Sequence, residues 1–296
     1  MQKVIAEKRI IGGRDCFIYD CGSPDTLLIQ PVDDHDIEVL DSEVNRICEL
    51  VNGAAASAAE GADGGAAEGP VSGLISGLVS GFTLAAFRVN DWNTDLSPWE
   101  AAPVFGDAGF GSGAEDTMKY ILESLIPELT GYGTSAGTEV DTHAETQVET
   151  QTYAQADSQT DTQNDTQGNT QTNKQAEVKI YLGGYSLAGF FSLWAAYQTD
   201  FFAGVAAVSP SVWFPGWMDF AREHSIRTPR VYLSLGDKEE RTRNPVMRTV
   251  GDNIRSQLEL LESDACCTAC TLEMNQGNHF KEPDLRTAKG FAWLLQ

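Results

Sequence analysis

The chain has 296 residues, 42% of them hydrophobic, and a net charge of −23 at pH 7. This length and composition allow one sizeable folded domain, and the negative charge disfavours nucleic acids and anionic membranes as partners because both would repel the protein. The N-terminus lacks a continuous apolar run, residues 71–87 are too short and too polar to span a bilayer, and the six cysteines show no disulfide framework, so we expect a cytoplasmic protein.

The first half of the chain alternates predicted strands and predicted helices. Strands are predicted at residues 4–11, 16–19, 26–30 and 83–89. Apolar side chains recur every three or four positions over residues 36–51, which predicts a helix there. A second helix is predicted over residues 117–129.

Two segments of biased composition interrupt this pattern. Residues 53–80 are dominated by Ala, Gly and Ser, and residues 133–176 are rich in Thr, Gln and Asp. The second segment has almost no large apolar side chains, so it cannot offset the entropy lost on ordering and is predicted to be disordered. We predict that both are loop insertions into a single domain spanning residues 1–296, because added loop length costs little.

The C-terminal half repeats the alternation of strands and helices. Strands are predicted at residues 178–182, 205–208, 231–235 and 271–274, and helices at residues 187–197, 253–261 and 286–295. Such alternation is typical of a mostly parallel sheet covered by helices. The predicted fold class is therefore α/β.

The most informative stretch is a predicted strand, turn and helix with a serine at the turn. Gly184 and Ala188 lie two positions before and two positions after Ser186. A nucleophilic serine in such a turn needs small neighbours because the strand and helix backbones crowd together, and alanine here replaces the more usual glycine. The N-terminus of the following helix also directs N–H groups towards a developing negative charge. Ser186 is therefore the predicted nucleophile.

A serine nucleophile needs a histidine base and a carboxylate that orients it. Of the four histidines, His279 alone follows a late predicted strand, in a short loop that could reach Ser186. Asp237 leaves another predicted strand and is the favoured carboxylate, with Glu239 and Glu240 as alternatives. The chain order serine, acid, histidine is that of the α/β-hydrolase fold.

Three short motifs together resemble one known family. They are Gly184-Tyr185-Ser186-Leu187-Ala188-Gly189, Val208-Ser209-Pro210-Ser211-Val212-Trp213 and Gly277-Asn278-His279-Phe280. They resemble the esterase family that includes enterochelin-type siderophore esterases and esterase D-like enzymes, over roughly residues 83–296 without the Thr/Gln/Asp-rich segment. The resemblance implies an α/β-hydrolase fold, a triad of Ser186, Asp237 and His279, and a Ser-Pro-Ser-x-Trp segment beside the active site.

Further residues are predicted to bind the reacting oxygen and the substrate. One oxyanion donor is expected to be the N–H of Leu187, directly after the nucleophile, and the second the N–H of Trp92 or Asp91. Substrate contacts are predicted for Tyr185, Trp213 and Trp99. An aromatic pocket rim is expected from Trp92, Trp99, Trp213, Phe214 and Trp217, although the loop that carries Trp99 could instead pack on the core.

These predictions lead to the expectation of a serine esterase that hydrolyses a small carboxylic ester without a metal or an organic cofactor. No metal site is predicted, because the pair Cys267 and Cys270 lacks a second pair and residues 33–36 lack the spacing of a calcium loop. Two alternatives stay open. One is acyl transfer to an alcohol by the same triad, and the other is a non-catalytic scaffold of this fold that binds a partner protein.

Overall fold

The computed structural model describes residues 6–23, 25–61, 81–131 and 178–296, except for the side chains of residues 55–61. The Thr/Gln/Asp-rich segment 133–176, with His143, lies outside this part of the chain, as do residues 62–80. The assignment of both segments as loop insertions in a single domain therefore stays a prediction. The described residues pack into one compact unit.

One sheet organises the described residues. Its eight strands are β1 (Glu7–Ile11), β2 (Arg14–Asp20), β3 (Thr26–Val32), β4 (Thr83–Arg88), β5 (Lys179–Tyr185), β6 (Gly204–Val208), β7 (Arg230–Gly236) and β8 (Ala269–Asn275). Their order across the sheet is β1-β2-β4-β3-β5-β6-β7-β8. β2 pairs antiparallel with β1 and β4, and every other neighbouring pair is parallel. The predicted mostly parallel sheet is confirmed.

Eight α-helices lie within the same ranges. They are α1 (Asp34–Gly61), α2 (Trp92–Asp95), α3 (Ala114–Tyr120), α4 (Ile126–Thr130), α5 (Leu187–Gln198), α6 (Trp217–Glu223), α7 (Val250–Ser263) and α8 (Pro283–Leu294). A π-helical turn, Ile121–Leu125, joins α3 to α4, and 3₁₀ turns lie at Glu239–Arg241 and Met247–Thr249. None of the helices described here is long and apolar enough to cross a membrane.

The predicted strands and helices are all present, with ends that differ by a few residues. The short helices α2 and α6 were not predicted. The largest difference is at α1, which continues past the predicted end at residue 51 to Gly61. Residues 53–61 of the Ala/Gly/Ser-rich segment are therefore helical, which the high helix propensity of alanine explains.

Helices cover both faces of the sheet. Successive strand residues point to opposite faces, and the apolar side chains on each face pack against helices. In β3, Leu28 belongs to the core cluster that contains Leu40 of α1 and Phe291 of α8. Its neighbour Ile29 belongs to the opposite cluster, which contains Phe191 of α5. The parallel strands β5, β6 and β7 are buried on both faces and end at the same edge of the sheet, where α/β proteins place their functional residues.

Helix α5 approaches this sheet closely, and Gly189 permits the approach. A Cβ atom on residue 189 would lie 2.7 Å from the Gly184 carbonyl oxygen and 2.8 Å from that of Val208. Replacing Gly189 by Ala is therefore expected to lower the free energy of unfolding by about 1–3 kcal/mol, as measured by urea denaturation. The matched control is Gly53→Ala in α1, where a Cβ meets no atom within 4 Å, and this change is expected to stabilise the protein. Equal stability of the Gly189→Ala variant and the unmodified protein would contradict the prediction.

Candidate active site

Ser186 lies in a strained turn between β5 and α5. Its backbone has φ 57° and ψ −117°, a conformation that residues other than glycine rarely adopt. Two main-chain hydrogen bonds hold the turn: Ser186 N donates to Val208 O at 3.0 Å, and Ser211 N donates to Ser186 O at 3.1 Å. This is the strand, turn and helix geometry that exposes a nucleophilic serine at the edge of the sheet.

The alanine that departs from the usual motif fits because a glycine faces it. Ala188 is buried, and a Cβ atom on Gly184 would lie only 2.7 Å from the Cβ of Ala188. Position 188 can therefore carry the methyl group of alanine because position 184 is a glycine. Ala188 leaves the turn around Ser186 intact.

A chain of hydrogen-bonded side chains extends from Ser186. His279 Nε2 lies 3.0 Å from Ser186 Oγ, and His279 Nδ1 lies 2.7 Å from Glu239 Oε2. An imidazole that donates its Nδ1–H to a carboxylate keeps Nε2 free to accept the serine proton. A hydroxyl, an imidazole and a carboxylate are thus joined in sequence by hydrogen bonds, an arrangement that can activate a serine.

The carboxylate that contacts His279 is Glu239, which corrects the preference for Asp237. Asp237 Oδ1 instead accepts a hydrogen bond from Gly277 N at 2.7 Å, and Asp237 N donates to Asn275 O at 2.8 Å. Asp237 thus joins the loop after β7 to the loop after β8. The third carboxylate considered, Glu240, forms an ion pair with Arg255 at 2.9 Å.

The side chain of Glu239 is 5% exposed and is held by several donors. Its Oε1 accepts hydrogen bonds from Gly236 N at 2.7 Å, Ser209 Oγ at 2.9 Å and Arg286 Nη1 at 3.0 Å. Burial by itself raises the pKa of Glu239, but the hydrogen bond and charge of His279, with the bonds from Gly236 and Ser209, hold this pKa below its ordinary value. The carboxylate is therefore ionised at neutral pH and stabilises a protonated imidazole.

Arg286 of α8 lies beneath this carboxylate and is 2% exposed. Besides Glu239, its Nη1 contacts Ser209 Oγ at 3.3 Å, and its Nη2 donates to Gln276 O at 3.3 Å and Asn278 O at 3.0 Å. The guanidinium thus ties the carboxylate to the loop that carries the histidine. Arg286 was not predicted from the sequence, because nothing in its local sequence distinguishes it from a residue at the surface, and Ser209 was predicted only as part of the Ser-Pro-Ser-x-Trp segment.

Tyr185 also supports the histidine loop, which corrects its predicted contact with substrate. Its hydroxyl donates to the main-chain oxygen of His279 at 2.7 Å and accepts from Arg286 Nη1 at 3.1 Å. Burial raises the pKa of this hydroxyl to about 12, so it stays protonated and can donate. As the last residue of β5, Tyr185 points to the opposite face of the sheet from its neighbours.

A cavity of about 750 Å³ opens beside Ser186 and His279. Aromatic side chains supply much of its wall: Trp92, Phe105, Phe110, Trp213 and Phe280. Ser209 and Ser211 of the Ser-Pro-Ser-x-Trp segment also line it, so the segment lies beside the candidate site, as the resemblance implied. Trp213 and Trp92 line the cavity, as predicted for the aromatic rim.

Three of the predicted rim aromatics lie elsewhere. Trp99 donates its indole N–H to Pro215 O at 2.8 Å, and its ring packs against Phe214 and Phe220. Phe214 and Trp217 are buried in the core around α5. The prediction that these three residues line the pocket is therefore wrong, since the core takes up their apolar surface, and Phe105, Phe110 and Phe280 replace them.

Backbone donors for an oxyanion are present at two helix starts beside the cavity. Leu187 is the first residue of α5 and Trp92 the first residue of α2, and both line the cavity. The first N–H groups of a helix have no acceptor within it, so they can bind an external oxygen. Asp91 N instead donates to Asp95 Oδ2 at 3.4 Å, and the Asp91 carboxylate caps α2 by accepting from Thr94 N at 3.0 Å. Of the two residues considered for the second donor, Trp92 fits better.

The residues considered as metal ligands form no metal site in the described part of the chain. Asp36 N donates to Asp33 Oδ1 at 2.8 Å and Asp33 N donates to Asp36 Oδ2 at 3.2 Å, so these two carboxylates cap the start of α1. All six cysteines are free. The described residues contain no group of three or more His, Cys, Asp or Glu side chains that could hold a metal ion.

Comparisons with known proteins place the fold. The chain is similar to siderophore hydrolase EstA from Aspergillus nidulans, with TM-score 0.59 and 14% identity over 99% of this chain and 94% of that one. It is also similar to siderophore hydrolase EstB from Aspergillus nidulans, with TM-score 0.56 and 13% identity over 99% of this chain and 94% of that one. Enterochelin esterase from Shigella flexneri gives TM-score 0.53 and 12% identity, over 100% of this chain and 59% of that one. No protein-family model and no curated protein matches the sequence. The structural likenesses confirm the predicted fold.

Proposed function

We propose that this chain, which has the α/β-hydrolase fold, is a serine hydrolase that cleaves a small carboxylic ester through Ser186, His279 and Glu239. The observation that carries the proposal is the hydrogen-bond chain from Ser186 Oγ to His279 Nε2 at 3.0 Å and from His279 Nδ1 to Glu239 Oε2 at 2.7 Å. Its position at a cavity beside the carboxyl ends of the parallel strands supports the same conclusion. So does the structural likeness to proteins described as siderophore and enterochelin esterases.

In the first half of the reaction, the serine oxygen replaces the alcohol of the ester. His279 Nε2 takes the proton of Ser186 as Oγ bonds to the carbonyl carbon, and the N–H groups of Leu187 and Trp92 stabilise the oxyanion. When this intermediate collapses, its bond to the alkoxy oxygen breaks and His279 donates the proton to the leaving alcohol. The acyl group is then bound to Ser186.

In the second half, water removes the acyl group by the same steps. His279 takes a proton from water as the water oxygen bonds to the acyl carbon, and the oxyanion is stabilised as before. Collapse breaks the bond to Ser186 Oγ, and His279 returns the proton to the serine. The ionised Glu239 keeps the imidazole in the required tautomer and stabilises its charged form throughout.

Labelling by a fluorophosphonate probe tests this proposal. We expect the probe to modify Ser186, because an activated serine attacks phosphorus while an ordinary serine does not. Peptide mapping locates the modified residue, and Ser186→Ala is expected to abolish labelling. Ser192→Ala is the matched control, since Ser192 lies in α5 with its hydroxyl bonded to Ala188 O and does not line the cavity. Absence of labelling in the folded protein, or labelling that persists in Ser186→Ala, would overturn the proposal.

The proposal also names the acceptor of the acyl group and the cellular location of the protein. Water is the proposed acceptor, and product analysis with an added alcohol separates hydrolysis from acyl transfer, because transfer would yield a new ester in place of the free acid.

A cytoplasmic location agrees with the six free thiols, which persist in a reducing compartment.

A further inference from the structure

Two cationic side chains line the cavity without an acidic partner. Lys238 and Arg241 belong to the segment that follows β7, and both are exposed at the cavity wall. In the described part of the chain, neither forms an ion pair. Their charges are therefore available to a ligand in the cavity.

The acidic residues next to them in sequence are already engaged. Glu239 binds His279 and Arg286, and Glu240 binds Arg255 on α7. Glu239 is also the single carboxylate among the described residues of the cavity wall. No neighbouring acid within the described ranges therefore neutralises Lys238 or Arg241.

This local charge contrasts with the rest of the protein. The chain carries 43 acidic and 20 basic residues, and several cations elsewhere pair with acids, as Arg88 does with Asp34 and Arg46 with Asp284. A concave wall that carries unpaired cations concentrates anionic ligands, because its low-dielectric surroundings focus the field. Lys and Arg donate charge-assisted hydrogen bonds to carboxylates, and the fork of Arg binds them in a bidentate way.

The remaining wall is suited to an apolar group. Phe105 and Phe280 line the cavity although they are 51% and 84% exposed, and the buried Phe110 and Trp213 pack against Phe105. Exposed aromatic side chains grouped at a cavity are typical of a binding site, since a ligand would cover their apolar surface. The cavity thus combines aromatic walls with two free cations.

We propose that the site selects esters that carry an anionic group, such as a carboxylate, together with an aromatic or aliphatic group. Lys238 and Arg241 bind the anion, and the aromatic wall binds the apolar part while the ester carbonyl lies at Ser186. This assignment of a substrate class rests on the proposed function. It predicts a preference that depends on charge and decreases as salt is added.

Two matched ester pairs test the preference in steady-state assays. One pair varies the acyl side, mono-4-nitrophenyl glutarate against 4-nitrophenyl valerate, and the other varies the alcohol side, 4-acetoxybenzoate against 4-acetoxybenzamide. We expect the anionic member of at least one pair to have a kcat/KM about tenfold higher, because charge-assisted hydrogen bonds are worth that factor. The double variant Lys238→Gln and Arg241→Gln is expected to remove this preference, mainly by raising KM for the anionic ester.

Arg243→Gln is the matched control, since Arg243 is exposed in the same segment but does not line the cavity. It should leave the preference intact. Equal rates on both members of both pairs would overturn the proposal, as would a preference that persists in the double variant.

Direct binding separates this inference from the proposed function. Calorimetric titration with 4-phenylbutyrate and with 4-phenylbutanamide measures the anion site whether or not Ser186 reacts. Tighter binding of the carboxylate that the double variant abolishes supports the anion site, even if the probe fails to label Ser186. Equal binding of the two compounds overturns the anion site, even if Ser186 is labelled.

Discussion

Glu239→Gln is expected to lower kcat for ester hydrolysis by about 10³ to 10⁴-fold, because it reverses the tautomer of His279. Three donors surround Oε1 of Glu239: Gly236 N, Ser209 Oγ and Arg286 Nη1. The amide oxygen of Gln is an acceptor and takes this place, so the amide NH₂ faces His279 Nδ1.

An NH₂ group at this position changes which nitrogen of the His279 imidazole carries the proton. Nδ1 must then accept a hydrogen bond, so the ring proton moves to Nε2, which faces Ser186. A protonated Nε2 cannot take the serine proton. The variant therefore keeps the shape of the site and loses its base.

Asp237→Asn is the matched control for this experiment. Its amide oxygen can still accept from Gly277 N, so we expect a kcat close to that of the unmodified protein. Both variants are compared by kcat and by their rate of fluorophosphonate labelling, with thermal unfolding to show that each is folded. A larger loss in Asp237→Asn than in Glu239→Gln would return the acidic role to Asp237.

Arg286→Met is expected to lower the free energy of unfolding by about 3–5 kcal/mol, because it takes the opposite charge away from the buried Glu239 carboxylate. The groups affected are the Glu239 carboxylate and the main-chain oxygens of Gln276 and Asn278. Since the same guanidinium joins the carboxylate to the histidine loop, we also expect kcat of the folded fraction to fall about 10²-fold from misplacement of the base. Unfolding by urea and kcat per probe-titrated site measure the two effects.

Arg230→Met separates the catalytic effect from the effect on stability. Arg230 is also partly buried and donates to main-chain oxygens of the last turn of α8, Leu294 O at 3.0 Å and Trp293 O at 3.2 Å. Its loss should destabilise the protein without changing kcat per titrated site. If Arg286→Met is too unstable to assay, Arg286→Lys keeps a charge beside Glu239 but lacks the guanidinium fork, so we expect an intermediate kcat. A wild-type kcat per site in either Arg286 variant would contradict the positioning role.

The turn around Ser186 could be predicted from sequence because its signal is local. An apolar strand, small residues around Ser186 and an apolar helix follow each other within one stretch of the chain, and crowding at the turn dictates their sizes. The fold class followed from a similar local signal, since alternating strands and helices give a parallel sheet. His279 was found by elimination among four histidines, and the loop after β8 does bring it to Ser186.

The positions of the aromatic residues could not all be predicted from local sequence. Hydrophobicity predicts that Trp99 and Trp213 will bury their rings, but it does not distinguish a cavity wall from the core. Trp99 packs against Phe214 and Phe220, whereas Trp213 lines the cavity. Which surface each ring meets depends on the path of loops that are distant in sequence.

The sequence by itself thus determined the fold class and predicted the serine and the histidine of the proposed site, while the tertiary structure decided which carboxylate contacts that histidine. Asp237 and Glu239 leave the same strand and are chemically alike. Their roles differ because their hydrogen-bond partners differ. Gly277 N donates to Asp237, while Arg286 and Ser209 donate to Glu239 and hold it against His279. These partners come from the loop after β6, from α8 and from the loop after β8, so their positions depend on packing of the whole sheet.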